Sequence, residues 1–219
     1  MRLPFRWFLA LVLCLLATPA AAGPPVLLVL GDSLSAAYGI AVDRGWVALM
    51  QRRVAEQGFP HHVVNASVSG ETSGGGLSRL PRLLEDHRPA VVVLALGAND
   101  GLRAISPKVL GDNLRAMIDA SRAAGAKVLL LGVRLPPNYG AAFNARFEKV
   151  LADVADEKAV PFDPFFLRGV AEDRALMQPD GLHPAVEAQP TLLDNVWPAL
   201  APLLEATRSA VSASVPTSG

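Results

Sequence analysis

Residues 25–35 read PVLLVLGDSLS, and they pass from an unbroken apolar run directly into a small polar turn. Four further apolar runs follow along the chain. Runs of this length without alternating polar residues are typical of strands covered on both faces, as in a parallel sheet. The predicted strands span residues 25–30, 62–66, 90–96, 127–133 and 159–162.

Between these strands, apolar residues recur at helical spacing. The clearest stripe comprises Phe143, Phe147, Val150, Leu151 and Val154. Strands that alternate with helices predict a three-layer, doubly wound α/β sandwich with a five-stranded, mostly parallel sheet. A last helix is expected over residues 188–204, with Pro198 kinking or splitting it.

Length and composition fit one globular domain: 219 residues, of which 51% are hydrophobic and 18% charged. The 20 basic and 20 acidic residues balance, so there is no basic excess to neutralise phosphates, and nucleic acid is not an expected partner. The phosphate-binding patterns G-x-x-x-x-G-K-[ST] and G-x-G-x-x-G do not occur in the sequence. The α/β-hydrolase pattern G-x-S-x-G does not occur either.

Residues 1–22 have the layout of a secretory signal peptide, with two arginines, an apolar run over 7–17 and the small residues 20–22. We expect cleavage after Ala22, a domain over residues 23–204, a disordered tail over 205–219 and a periplasmic or secreted location. An uncleaved anchor is the alternative. Cys14 as a lipid-attachment site is disfavoured because the apolar run continues past it. Since Cys14 is the one cysteine, the mature chain would lack thiol chemistry.

Polar residues follow the predicted strands at the carboxyl edge of the sheet, where open α/β sheets place their sites. This rule separates the four histidines. His61 and His62 enter the second predicted strand and His87 lies just before the third, so each is expected at the opposite edge, on the surface. His183 alone lies where it could act as a base.

Three positions could supply a nucleophile, a base and an orienting carboxylate. Asp180 precedes His183 by three residues in a turn, so its carboxylate could hold one imidazole nitrogen and leave the other free to accept a proton. Ser33, expected at a helix start, needs such a base to become a nucleophile. Taken singly, Asp180 could belong to a surface turn, and Ser33 or Asp32 could merely cap a helix.

Three groups could also stabilise an oxyanion. Gly70 can offer a backbone N–H without a side chain in the way, and Asn99 can offer its side-chain amide. The Ser33 backbone N–H would be the third donor. Taken alone, Gly70 and Asn99 are common turn residues.

Together, the block at 31–35 (GDSLS), Gly70, the block at 97–100 (GAND) and the block at 180–184 (DGLHP) resemble the GDSL or SGNH hydrolase family. Residues 65–73, 134–140 and 177–184 are further similar to secreted bacterial arylesterases, also called acyl-CoA thioesterases or lysophospholipases. The resemblance spans roughly residues 26–204. One departure is Ala98, where these enzymes often have glycine.

The resemblance implies a flavodoxin-like fold and a serine esterase or thioesterase that works through an acyl-serine intermediate. It implies Ser33 as nucleophile, His183 as base and Asp180 as its orienting group, with Ser33, Gly70 and Asn99 forming the oxyanion hole. No cofactor or metal is implied. The activity should fall below about pH 6–7, where histidine becomes protonated.

The expected partner is a small-molecule ester or thioester, and we expect a monomer without a stable membrane anchor. Residues 73–77 are expected to be a mobile loop that, together with 134–139, lines a groove for a short- or medium-chain acyl group. The alternatives are a carbohydrate acetyl esterase of the same family and a binding protein with an inactive site.

Overall fold

A computed structural model of the chain describes residues 23–208. The predicted signal peptide over 1–22 and the last part of the predicted tail, 209–219, lie outside the described residues. The strands are β1 (Val26–Gly31), β2 (His62–Asn65), β3 (Val91–Ala95), β4 (Lys127–Leu131) and β5 (Phe162–Asp163). The helices are α1 (Trp46–Glu56), α2 (Ser73–His87), α3 (Ala98–Leu102), α4 (Pro107–Ala123), α5 (Ala141–Lys158) and α6 (Gln189–Arg208).

The five strands form one sheet in the order β2-β1-β3-β4-β5, and every neighbouring pair is parallel. This is the flavodoxin-like order, in which the strand order reverses beside β1. The predicted doubly wound α/β fold is therefore confirmed.

Burial explains why the central strands read as continuous apolar runs. All residues of β3 are buried, and so are the last five residues of β1. The helices cover both faces with apolar stripes, such as Phe147, Leu151 and Val154 on α5. At roughly 25 cal/mol per Å² of apolar surface removed from water, this two-sided burial is the main stabilising contribution to the sheet.

Two elements differ from the sequence-based expectation. The paired part of β5 is only Phe162–Asp163, because Ala159 ends α5 in the left-handed region (φ 46°) and Pro161 has no N–H to donate. Helix α6 is not split at Pro198 but continues to Arg208, which makes residues 205–208 of the predicted tail helical.

The uninterrupted course of α6 has a physical reason. Pro198 lies on the exposed side, where water can bond the backbone carbonyl that the proline leaves without a partner. The opposite side buries Leu192, Leu193, Val196, Leu200 and Leu204 against the core.

Among residues 23–208, no helix is both long enough and apolar enough to cross a membrane.

Candidate active site

Three side chains from two distant parts of the chain form a continuous row of hydrogen bonds. His183 Nε2 lies 2.8 Å from Ser33 Oγ. On the other side of the ring, His183 Nδ1 lies 2.7 Å from Asp180 Oδ2. The imidazole therefore faces a hydroxyl with one nitrogen and a carboxylate with the other, although Ser33 and His183 are 150 positions apart.

Ser33 follows β1 in a hydrogen-bonded turn. The carbonyl oxygen of Asp32 accepts from the N–H groups of Ser35 (3.1 Å) and Ala36 (2.9 Å). The expectation that Ser33 begins a helix is wrong, since the turn continues to Gly39 and the next α-helix begins only at Trp46. The tight turn leaves Ser33 half-buried at the carboxyl edge of the sheet.

The loop that carries His183 is fixed mainly by Gln178. The Gln178 side chain donates to the carbonyl oxygens of Tyr38 (2.8 Å) and Pro184 (3.0 Å). Its backbone N–H donates to the carbonyl oxygen of His183 over 2.7 Å. One residue thus joins the turn after Ser33 to the loop of His183.

The aromatic ring of Tyr38 lies over the imidazole of His183. The ring centroids are 4.4 Å apart with a tilt of 34°. Tyr38 is nevertheless 51% exposed, so the stacking covers one face of His183 and leaves the other face of the tyrosine in solvent.

The predicted oxyanion donors reach the same place. Ser33, Gly70, Asn99 and His183 all line one cavity of about 580 Å³. Gly70 has a φ of 80°, a conformation that favours glycine, so its backbone approaches the cavity without strain. Asn99 stands in the first turn of α3, two residues after Gly97, which has a φ of 127°.

The rest of the cavity wall is mainly apolar. Arg134 and Glu172 are the charged side chains among the described residues of its wall. The predicted contribution of residues 134–139 is partly confirmed, since Arg134, Leu135, Pro136 and Pro137 line the cavity. The further apolar side chains are Leu34, Ala98, Leu102, Val133, Phe165, Leu167, Ala171, Met177 and Leu182.

The expectation that residues 73–77 form a mobile groove loop is wrong. They are the first turns of α2, and none of them lines the cavity. Thr72 caps the helix by accepting from the Gly75 N–H at 3.3 Å. Gly76 packs so closely that a Cβ there would clash with Leu96 Cδ1. Gly76 therefore serves close packing against Leu96.

The two acidic residues beside the Ser33–His183 pair have opposite pKa shifts. Burial is the largest effect on Asp32 and raises the pKa of its carboxyl from 3.8 to about 6, against the opposing effects of the Leu34 N–H, a protonated His183 and the Asn99 amide. Desolvation also raises the pKa of Asp180. The hydrogen bonds from Leu182 and His183 outweigh that effect and lower its pKa to about 2.

The other histidines lie at the opposite edge of the sheet, near the start of β2 and the end of α2. His62 is exposed, but the expectation that His61 is a surface residue is wrong. His61 is buried, with Nε2 2.8 Å from Thr207 Oγ1 of α6. Desolvation lowers the pKa of His61. The C-terminal end of α6 covers His61, and this long-range contact leaves no local signal in the sequence.

Three polar residues around the site were missed by sequence reasoning. Asp32 is buried between the Leu34 N–H and the Asn99 amide. Asp100 accepts from Ser73, and Gln178 holds the His183 loop. Asp32 directly precedes Ser33, and Asp100 directly follows Asn99. This adjacency is the one feature of the sequence from which a role of these two residues near the site could have been predicted. Ala98, the departure from the family pattern, begins α3 and lines the cavity.

Within residues 23–208, no cluster of three or more histidine, cysteine, aspartate or glutamate side chains is arranged to hold a metal ion. The row of hydrogen bonds allows a proton to pass from the hydroxyl to the imidazole, while the carboxylate holds the other ring nitrogen. A hydroxyl activated in this way at a cavity with an apolar wall is the arrangement of a serine hydrolase.

Comparisons with known proteins agree with this class. The model of the GDSL-like Lipase/Acylhydrolase family matches residues 29–189. The chain is 54% identical to a protein named Esterase TesA from Pseudomonas aeruginosa, over 89% of this chain and 96% of that protein. It is 42% identical to one named Thioesterase 1/protease 1/lysophospholipase L1 from Escherichia coli, over 91% of this chain and 95% of that protein.

A solved structure described as the crystal structure of TesA superimposes with a TM-score of 0.80 and 54% identity, covering 81% of this chain and 99% of that chain. The chain therefore belongs to the GDSL-like lipase/acylhydrolase family. This confirms the family predicted from the four sequence blocks and the predicted class of carboxylic ester hydrolase.

Proposed function

We propose that Ser33 is the nucleophile of this ester hydrolase, His183 its general base and Asp180 the carboxylate that orients the imidazole. The Ser33 and Gly70 backbone N–H groups and the Asn99 amide form the oxyanion hole. The observation that supports these roles most is the row of hydrogen bonds from Ser33 Oγ to His183 and on to Asp180, at 2.8 and 2.7 Å.

In the first step, His183 Nε2 takes the proton from Ser33 Oγ as the oxygen attacks the carbonyl carbon of the ester or thioester. The carbonyl oxygen becomes an oxyanion, and the three donors stabilise it. When the tetrahedral intermediate collapses, the bond to the leaving group breaks, and the alcohol or thiol leaves with the proton held by His183. The product of this step is an acyl-serine at Ser33.

In the second step, His183 takes a proton from water, and the resulting hydroxide attacks the acyl-serine carbonyl. The same donors hold the second oxyanion. Its collapse releases the carboxylic acid, and Ser33 recovers its proton from His183. Asp180 carries out no proton transfer but keeps Nδ1 of His183 as a donor, so that Nε2 is free to accept.

Labelling with a fluorophosphonate probe tests the role of Ser33. The wild-type protein should be labelled and lose its esterase activity in parallel, and both should be lost in Ser33→Ala. Ser35→Ala is the matched control: Ser35 is a buried serine two positions away whose Oγ has no partner among the described residues. Labelling that persists in Ser33→Ala, or activity that survives it, would contradict the proposal.

For the substrate, we propose aryl esters and acyl thioesters with short or medium acyl chains, with lysophospholipids as a further class. The apolar wall formed by Leu135, Phe165 and Leu167 supports an acyl-binding cavity. A volume of about 580 Å³ lies in the usual range of small-molecule sites, roughly 300–1,000 Å³. The proposal predicts an optimum in a series of p-nitrophenyl esters from C2 to C16, and a steady rise to C16 would refute it.

The carbohydrate acetyl esterase alternative fits less well with relatives that are named as an esterase and as a thioesterase and lysophospholipase. A direct comparison of acetylated xylan with p-nitrophenyl butyrate and an acyl-CoA separates the two. We propose a periplasmic or secreted monomer that binds no nucleic acid. Cell fractionation, size-exclusion chromatography and a nucleic-acid binding assay on the purified protein test these three properties.

A further inference from the structure

Asp100 is a buried carboxylate for which the proposed reaction has no use. It is only 1% exposed, yet both of its oxygens have partners on a different part of the chain. Oδ2 accepts from the Ser73 backbone N–H at 2.7 Å, and Oδ1 accepts from the Ser73 hydroxyl at 2.5 Å. Ser73 Oγ in turn accepts from Asn113 Nδ2 at 2.9 Å, so the hydroxyl is held from both sides.

This link joins the two loops that carry the proposed oxyanion donors. Ser73 lies three residues after Gly70, and Asp100 directly follows Asn99. The loops follow β2 and β3, which are not neighbours in the sheet because β1 lies between them. No ladder between β2 and β3 therefore sets the distance between Gly70 and Asn99, and the Asp100–Ser73 bonds span the gap.

The position of Asp100 is also favourable electrostatically. Ser73 is the first residue of α2, where backbone N–H groups have no partner within the helix and where the helix dipole favours negative charge. A second and more exposed contact reinforces the link, since Arg103 donates to the Gly70 carbonyl oxygen at 2.8 Å. Both contacts connect the α3 segment that carries Asn99 to the loop that carries Gly70.

We propose that Asp100 and Ser73 are positioning residues that set the spacing of the Gly70 and Asn99 oxyanion donors. The proposal rests on the proposed function, because it presumes that these two groups hold the oxyanion. It follows that weakening the link harms the transition state and leaves ground-state binding of the substrate nearly unchanged. Losing one oxyanion donor outright costs about 10²–10³ in turnover, so a displaced donor should cost about 10–100-fold in kcat.

Ser73→Ala is the sharpest test, because it removes the hydroxyl and keeps the backbone N–H that Asp100 also accepts from. We expect kcat to fall about 10–100-fold while KM changes less than about twofold. The inhibition constant of a boronic acid that forms a tetrahedral adduct at Ser33 should rise by the same factor as kcat/KM falls. A change confined to folding stability would not alter that constant.

Ser121→Ala is the matched control. Ser121 is equally buried, and its hydroxyl donates to the Met117 carbonyl oxygen at 2.8 Å within α4. Ser121→Ala should lower the melting temperature by about as much as Ser73→Ala does, and it should leave kcat and boronate inhibition unchanged. Asp100→Asn, which keeps one acceptor oxygen, should lose less activity than Asp100→Ala. If Asp100→Ala does not fold, Ser73→Ala still decides the question.

A double-mutant cycle separates positioning from a general loss of packing. Because Ser73 would act through Asn99, Ser73→Ala should cost clearly less activity in an Asn99→Ala background than in the wild type. Full additivity, or normal boronate inhibition in Ser73→Ala, would overturn the proposal. Ser33→Ala separates failure of the proposed function from failure of the positioning role. If Ser33→Ala stays active, the proposed function is wrong. If Ser33→Ala is inactive and Ser73→Ala has normal activity, only the positioning role is refuted.

Discussion

The side-chain amide of Asn99 donates a hydrogen bond to Oδ2 of Asp32 over 3.4 Å. The other oxygen of Asp32 accepts from the Leu34 N–H at 3.1 Å, directly after the proposed nucleophile. An amide has two N–H bonds, so the one that Asp32 does not bind is free for a substrate oxygen. Asp32 thus connects the Ser33 turn to one of the proposed oxyanion donors.

Asp32→Asn should lower kcat about 10–100-fold with little change in KM. The Leu34 N–H requires the oxygen of the new amide, so the NH₂ group would face the NH₂ group of Asn99, and two donors cannot bond each other. Steady-state kinetics at pH 8 with a p-nitrophenyl ester measures the effect. An unchanged kcat would show that Asn99 is oriented without Asp32.

Relative to the wild type, the stability of the Asp32→Asn variant should increase as the pH rises. The pKa of Asp32 is raised by burial from 3.8 to about 6, so in this window the folded protein keeps a proton that the unfolded chain has released. The stability that the protonated group contributes is therefore fully present below about pH 4 and is lost as the pH rises through about 6. The free energy lost is on the order of 3 kcal/mol. Asparagine cannot titrate and avoids this loss.

Urea unfolding at pH 4.5 and 7.5 measures the difference. The quantity compared is the unfolding free energy of Asp32→Asn minus that of the wild type. This difference should be larger at pH 7.5 than at pH 4.5. Ser35→Ala changes a buried neighbour that does not titrate, so its difference from the wild type should be the same at both pH values. An Asp32→Asn difference that is also independent of pH would contradict the raised pKa.

Asp180 should remain ionised throughout the pH range of activity, because hydrogen bonds hold its pKa near 2. Asp180→Asn would place an NH₂ donor against His183 Nδ1 and favour the tautomer that carries the proton on Nε2, where it cannot accept from Ser33. In triads of this kind such a change lowers kcat by about 10⁴. We expect a loss of about 10³–10⁴ in kcat, with fluorophosphonate labelling slowed in parallel. A loss below tenfold would remove Asp180 from the mechanism.

The sequence contained enough to predict the sheet, the family and four of the polar residues that line the cavity. Central parallel strands are apolar along their length because both faces are covered, and the residues after parallel strands meet at one edge of the sheet. Ser33, Gly70, Asn99 and His183 could therefore be placed without a structure. Glycine was harder to interpret. Glycine is found both in flexible loops and where two elements pack closely, so the sequence does not distinguish these two uses. At Gly76 the contact with Leu96 shows that the glycine is needed for close packing.

The residues that support the site could not be predicted in this way. Asp100 bonds Ser73 across β1, and Gln178 bonds the Tyr38 carbonyl oxygen 140 positions away. Such side-chain contacts arise from tertiary placement and follow no periodicity. Pro198 illustrates the same limit, since its helix-breaking tendency is outweighed by the burial of the opposite face of α6.

Gln178→Ala should disturb the alignment of His183 with Ser33. The substitution removes the side-chain bond to Tyr38, which joins the two loops, and the side-chain bond to Pro184, which lies within the His183 loop. It leaves the backbone bond to His183. We expect kcat/KM and the rate of fluorophosphonate labelling to fall at least about tenfold, because nucleophile and base must stay within hydrogen-bond reach. The unfolding free energy should fall by about 1–2 kcal/mol, as for other lost hydrogen bonds.

Gln51→Ala is the matched control for this change. The Gln51 side chain accepts from the Val63 N–H at 2.7 Å, near the opposite edge of the sheet, so its removal also deletes a bond between a glutamine side chain and the backbone. It should cost a similar amount of stability, measured by urea unfolding, while labelling and kcat/KM stay at wild-type values. If both variants lose stability and neither loses labelling rate, Gln178 serves the fold alone, and the backbone bond from residue 178 suffices to hold the imidazole beside Ser33.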